Sequence, residues 1–251
     1  MPDMCFDHDS EPPIPSGGRE VMNEDLVLTA GDGNELMAFS AHGVEHSPTG
    51  VVILPDVRGL YVFYKDLATR FAEAGHDAIA VDYFGRSTDR EDRPDDWDFR
   101  PHVEKCTVEG VSADVGAALA RLRADRPDRA LFTVGFCFGG SNSWHQAANG
   151  HGLSGAIGFY GRPRRSDTDA VIDRVEEMTC PILALMGGDD PGIPEEAVEE
   201  FRQAMEQAGV DHDVVVYPGA PHSFFDRKQT EFAAESADAW NRVLSFIAKH
   251  T

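Results

Sequence analysis

The chain has 251 residues, enough for one full hydrophobic core and within the usual span of a single α/β domain. Hydrophobic residues make up 41% of it and the mean hydropathy is −0.34, the profile of a soluble globular protein, and no run approaches the ~18–20 apolar residues of a membrane span. Forty-four acidic residues against 22 basic ones give a net charge of −22, which argues against nucleic acid or an anionic membrane surface as a partner. Only Lys65, Lys105, Lys228 and Lys249 are lysines, a balance that fits either salt adaptation or a codon-biased genome.

Residues 1–20 read as an irregular N-terminal segment, broken by Pro12, Pro13, Pro15 and Gly17-Gly18. Their acidic start lacks the basic and apolar regions of a signal peptide, so the cytoplasm is the expected location. The cluster Cys5-x-Asp7-His8-Asp9 matches no common metal spacing, and no metal or cofactor is expected. Cys5, Cys106, Cys137 and Cys180 form no close pair, so neither a zinc site nor a disulfide framework is signalled. Residues 21–251 read as a single domain.

That domain opens with a hairpin, Leu26–Leu28 and Leu36–Phe39, around an Asp32-Gly33 turn. Val51–Leu54 is a buried-strand pattern, Phe63–Ala74 an amphipathic helix closed by Gly75, and Ala78–Val81 the next strand. Residues 84–103 read as a long acidic loop, a wall or partial lid. A helix over Val108–Arg123, a strand over Ala130–Val134, a helix over Ser141–Asn149 and a strand over Gly155–Tyr160 follow. Further strands are predicted at Pro181–Met186 and Asp213–Tyr217, and helices at Glu195–Ala208 and Glu231–His250. Strands alternating with helices at this spacing predict an α/β fold with a mostly parallel sheet covered on both faces.

The segment Gly135-Phe136-Cys137-Phe138-Gly139-Gly140 carries the chemistry. A strand, a glycine-flanked nucleophile and a helix form the context of a nucleophile turn of the α/β-hydrolase type, with Cys in place of Ser. The flanking glycines suit a sharp, strained turn packed between strand and helix. A helix N-terminus beneath the sulfur favours the thiolate, and the N–H after the nucleophile favours an oxyanion. A nucleophile of this kind needs a base and an orienting carboxylate. Gly187-Gly188-Asp189-Asp190 follows one predicted strand, and Pro221-His222-Ser223-Phe224 follows another, giving the chain order nucleophile, acid, histidine.

With these three motifs the chain resembles the dienelactone hydrolase family, whose members carry G-x-C-x-G-G, G-G-x-D and G-H-S/G-F at the same places. The resemblance runs from about Leu26 to about Ile247 and includes Leu54-Pro55-Asp56-Val57-Arg58-Gly59 and Val81-Asp82-Tyr83-Phe84-Gly85-Arg86. It implies an α/β-hydrolase fold and a Cys137–His222–Asp190 triad, with Asp190 rather than Asp189 last in the acid motif. It also implies an acidic residue near the thiol, here Asp56, and oxyanion N–H groups from Phe138 and Val57. The reaction implied is hydrolysis of a small ester or lactone through a thioacyl intermediate; a broad carboxylesterase or thioesterase, or an idle binding scaffold, are the other readings. Arg86, Tyr83, Tyr160 and Ser223 are candidates for substrate binding, Arg86 as partner of a substrate carboxylate. Two departures stand out: the family enzyme has an arginine four residues after its histidine where this chain has Asp226, and residues 89–100 do not align with it without gaps. Oligomeric state is unreadable from the sequence.

Overall fold

The computed structural model describes residues 10–88, 93, 97–166 and 169–251. Residues 10–20 carry no helix or strand. The hairpin is longer at both ends than its apolar pattern: β1 spans Val21–Thr29 and β2 spans Glu35–Gly43. There follow β3 (Thr49–Leu54), α1 (Val62–Glu73) and β4 (Asp77–Val81). A 3₁₀ turn covers Tyr83–Arg86, α2 is the short Arg100–Val103, and α3 is Val108–Asp125. Thus the expected loop over 84–103 begins and ends in helical turns; residues 89–92 and 94–96 of it, and the Cys5 cluster, lie outside the described residues.

The second half contains β5 (Ala130–Phe136), α4 (Phe138–Ala147) and β6 (Gly155–Phe159). A small hairpin, β7 (Arg164–Ser166) and β8 (Asp169–Ala170), and a 3₁₀ segment over Val171–Glu177 were not signalled by any periodicity. Then come β9 (Ile182–Gly187), α5 (Glu195–Ala208), β10 (His212–Tyr217) and α6 (Ala233–Lys249).

Eight strands form one sheet in the order β1-β2-β4-β3-β5-β6-β9-β10. Only β1–β2 and β2–β4 pair antiparallel; the other five pairings are parallel. Every residue of β3, β4, β6 and β9 is buried, as required of strands covered on both faces. Gly155 and Gly158 show the two layers directly. They sit three apart on one strand and so face opposite ways. A Cβ on Gly155 would strike Phe246 of α6, and one on Gly158 would strike Trp144 of α4. Phe71 of α1 packs on Trp240 of α6 at 4.8 Å between ring centroids, while Trp144 packs on Phe201 of α5 at 5.0 Å. Parallel strands deliver their C-terminal ends to one edge of the sheet, and the loops leaving β3, β5, β6, β9 and β10 meet there.

Candidate active site

Cys137 is the residue between β5 and α4, with φ 55° and ψ −113°. α4 begins directly after it, three residues earlier than the periodicity of its side chains indicates. The reason is local: the sharp turn makes Cys137 itself the N-cap, so the helix starts at Phe138. Its amide donates to the Phe159 carbonyl at 3.0 Å, and its carbonyl accepts from the Gly140 amide at 3.0 Å. The turn is tight enough to exclude side chains nearby. A Cβ on Gly139 would overlap the carbonyl oxygens of Leu54 and Pro55, and one on Gly140 would lie 2.5 Å from the Phe159 carbonyl. Backbone cannot yield as a flexible side chain can, so glycine is required at both places. Cys137 itself is half-buried, at the N-terminus of α4, where the first helical N–H groups have no acceptor one turn back in the helix.

Three non-glycine residues have positive φ among the described residues: Cys137, Tyr160 at 36° and Ser223 at 60°. Such strain in bulky residues persists only where the surroundings hold it, and it gathers at functional sites. Here the three lie past the ends of β5, β6 and β10, and the Tyr160 ring lies 4.9 Å from that of His222, the residue before Ser223.

His222 Nδ1 lies 2.6 Å from Asp190 Oδ2, and the other carboxylate oxygen accepts the Gly192 amide at 2.8 Å. Burial alone would raise the Asp190 carboxyl. The hydrogen bond and charge of His222, the Gly192 N–H and the Arg162 guanidinium outweigh it and hold the group below its usual value. Asp189, by contrast, is exposed. Nδ1 faces Asp190, and Nε2 lies on the other side of the ring.

A buried polar cluster supports the opposite side. Asp56, fully buried two residues after β3, accepts the Arg58 amide at 2.9 Å and lies 3.7 Å from the Arg58 guanidinium. Its own amide donates to the Tyr64 phenol at 3.1 Å, and that phenol donates to Asp226 at 3.5 Å. Arg58 also stacks on Tyr61 at 4.1 Å. Tyr64, Arg58 and Asp226 thus shape the loop that carries the Val57 amide. None was a candidate from the sequence; the one signal was the placement of Asp226, four residues past His222.

The expected substrate-binding residues fare differently. Tyr83 is fully buried, and its phenol donates to the backbone carbonyls of Pro55 and Asp56, the latter at 2.8 Å. Burial first, then the charges of Asp56, Cys106 and Cys137, push that phenol well above its ordinary value, so it stays a donor that fixes the Asp56 loop. Tyr160 and Ser223 are buried as well. Arg86 is spent on protein carboxylates: Nε and Nη2 donate to the two oxygens of Asp114 at 2.8 and 2.7 Å, and Nη1 donates to Asp32 at 2.7 Å. This replaces the expected role for Arg86, because a guanidinium with every nitrogen engaged has no edge left for a substrate carboxylate. His102 bonds Ser87 and stacks on Trp97, and the Trp144 indole donates to the Leu183 carbonyl.

Phe84, Trp97 and Phe138 form an aromatic wall beside the Cys137 turn, with Arg165 lying 4.5 Å over the Phe138 ring. A separate cavity of about 1060 Å³ runs along α3 past Ala113, Gly116, Ala117 and His151, and none of Cys137, Asp190 and His222 lines it. Among the described residues no group of three or more His, Cys, Asp or Glu side chains is arranged to hold a metal ion, and no helix is long and apolar enough to cross a membrane.

The sequence profile of the dienelactone hydrolase family matches residues 37–251. A Yersinia pestis protein named "Putative carboxymethylenebutenolidase" is 31% identical over 229 residues, covering 87% of this chain and 85% of that protein. A Bradyrhizobium protein named "Probable 2-oxo-3-(5-oxofuran-2-ylidene)propanoate lactonase" is 30% identical over 245 residues, 92% of this chain and 96% of that one. Among solved structures, a "Putative Dienelactone Hydrolase" from Klebsiella pneumoniae superposes with a TM-score of 0.83 at 26% identity, over 92% of this chain and 99% of that chain.

Proposed function

The chain belongs to the dienelactone hydrolase family, enzymes that hydrolyse ester or lactone bonds, and within that chemistry we propose that Cys137 is the nucleophile, His222 its base and Asp190 the orienting acid. The observation that carries this reading is the 2.6 Å contact of His222 with a buried carboxylate, on loops that leave neighbouring parallel strands at the edge where Cys137 sits in its strained turn.

The steps follow from that placement. His222 Nε2 takes the thiol proton as Sγ attacks the acyl carbon. The carbonyl π pair moves to oxygen, and the oxyanion is met by the amides of Phe138 and Val57. Collapse breaks the acyl–oxygen bond, and the leaving alkoxide takes the proton from His222. A thioester on Cys137 remains. Water, deprotonated by His222, then attacks that thioester; collapse breaks the carbon–sulfur bond and releases the acid, and the Cys137 thiolate takes the proton back from His222. Asp190 keeps the imidazole in the tautomer that presents Nε2 and stabilises the imidazolium during both halves. The substrate is a small ester or lactone. A broad esterase or thioesterase is the second reading. It is favoured by the engagement of Arg86 with Asp114 and Asp32 and by Asp226 standing where the family enzyme has arginine.

The test is direct. Cys137→Ala is expected to abolish hydrolysis of a short-chain chromogenic ester while the fold persists. Iodoacetamide is expected to label Cys137 with matching loss of activity, because Cys106 and Cys180 are buried and burial pushes both thiols up to about 12. Undiminished turnover in Cys137→Ala would remove the mechanism. A wild type that prefers neutral esters to carboxylate-bearing ones would select the broad-esterase reading.

A further inference from the structure

Arg162 lies three residues past β6 and joins the two halves of the site. Its carbonyl accepts the Ser141 hydroxyl at 2.9 Å, in the first turn of the helix that follows Cys137. The preceding Gly161 is pressed on that same turn: a Cβ there would lie 2.6 Å from the Ser141 nitrogen. From this anchored backbone the side chain reaches across to the loop after β9. A Cβ on Gly192 would come 2.9 Å from Arg162 Nη2 and 3.1 Å from Asp190 Oδ1. The guanidinium and the carboxylate therefore flank one glycine and lie within about 6 Å of each other, the range over which an opposite charge alters a titration. Of the neighbouring arginines, Arg164 pairs with Asp173 and Arg93 with Asp82, while Arg165 lies over the Phe138 ring on the Cys137 side of the site.

We propose that Arg162 is a positioning residue for the Asp190–His222 pair, holding the carboxylate ionised and extending activity toward lower pH. This rests on the triad reading above. The electrostatic surroundings make its sign clear. Asp190 contacts His222 directly; Asp189 is exposed next to it; Asp226 lies farther along the His222 loop; Tyr160 faces the imidazole from the end of β6; and Cys137 faces the site from the start of α4. Among these groups the fixed positive charge is that of Arg162, and it is one of the influences that lower Asp190. A positive charge favours the carboxylate and opposes protonation of the imidazole bonded to it. Should the resting enzyme hold a Cys137 thiolate and an imidazolium, the same charge favours the thiolate. In both cases its removal moves the acid limb of activity to higher pH. Gly192 has a role here too: any side chain would fill the space into which Nη2 reaches.

The experiment compares wild type, Arg162→Gln and Arg162→Lys as full-length proteins on a neutral chromogenic ester, from pH 4.5 to 8.5. An uncharged substrate removes attraction of the substrate itself as a cause. On the limb, Arg162→Gln is expected to fall about threefold below wild type, equivalent to about half a pH unit for charges at this separation near solvent. Its plateau kcat/KM stays within about twofold and its Tm is unchanged. Arg162→Lys keeps the wild-type limb. Because Arg162 is exposed, the gap closes at about 1 M salt, where the Debye length is about 3 Å. Superimposable limbs in all three proteins overturn the proposal, as does a lowered plateau with an unmoved limb, which marks a merely structural residue. Activity surviving in Cys137→Ala overturns the triad reading and this proposal with it, whereas an inactive Cys137→Ala beside unmoved limbs overturns this proposal alone.

Discussion

Replacing Asp190 with Asn tests the catalytic geometry at its most constrained point. The carboxylate accepts two hydrogen bonds on opposite oxygens, from His222 Nδ1 at 2.6 Å and from the Gly192 amide at 2.8 Å. An asparagine has one acceptor oxygen and one donor NH₂. If the oxygen stays with Gly192, the NH₂ faces His222 Nδ1, which must then become the acceptor. Nε2 carries the proton in that tautomer and is useless as a base. If the amide flips, two donors face each other at Gly192, at a cost of about 1–3 kcal/mol for the orphaned buried group. Either orientation loses the charge that stabilises the imidazolium. The expected loss in kcat is about 10⁴-fold, equivalent to about 5.5 kcal/mol of transition-state stabilisation, with KM little changed. Asp189→Asn leaves both bonds in place, because Asp189 meets the structure through its backbone amide, which donates to the Ala220 carbonyl at 2.9 Å. It is expected to stay within about threefold of wild type. Steady-state kinetics on a short-chain ester, with thermal melts to confirm folding, decide the matter. A tenfold or smaller loss in Asp190→Asn, or a larger loss in Asp189→Asn, refutes the assignment.

Two further expectations follow from pairs outside the triad. Arg86→Ala strips Asp114 of its guanidinium; Asp114 is fully buried and would keep Asn34 as its hydrogen-bond donor, so the variant is expected to lose about 3 kcal/mol in denaturant unfolding. Its kcat/KM should fall equally, if at all, on neutral and carboxylate-bearing esters; a selective loss on the charged ones would return Arg86 to the substrate. His76 is pushed down to about 4 by burial, assisted by Arg19 and opposed by Asp77, and its Nδ1 lies 2.6 Å from the Thr49 hydroxyl. The folded state therefore binds fewer protons than the unfolded chain between about pH 6.5 and 4, so this residue's share of stability is full above that window and is lost as pH falls through it. The loss is up to about 3 kcal/mol. Urea unfolding of His76→Gln across that range should show a flatter dependence than wild type; an identical slope would exclude His76 as its source.

Much of the architecture is written in local pattern. The runs Val51–Leu54, Ala78–Val81 and Ile182–Met186 are apolar at every position and are buried at every position, because a strand covered on both faces has no side to spare for polar residues. That pattern, alternating with helical periodicity, determines a mostly parallel sheet. Parallel strands in turn send the residues just past their C-terminal ends to one edge. For this reason the order and strand-end placement of Cys137, Asp190 and His222 could be read before any coordinate, whereas the preference for Asp190 over Asp189 rested on the resemblance of its motif to the family's.

What the sequence alone could not determine is how charge is partnered. Arg86 stands where a substrate-binding arginine would stand, yet its partners come from the β1–β2 turn and from α3, 54 and 28 residues away. Arg162 can be read as lying past a strand end, but only the fold carries its guanidinium to Gly192 and Asp190. Tyr64 reads as a core aromatic of α1, and only the packed structure brings its hydroxyl to Asp56 and Asp226. Burial leaves a periodic trace in a sequence because it acts on one face of each element. An ion pair or a buried phenol leaves none, because its partner is chosen by which loops the sheet brings together and by how far a side chain can reach across the gap.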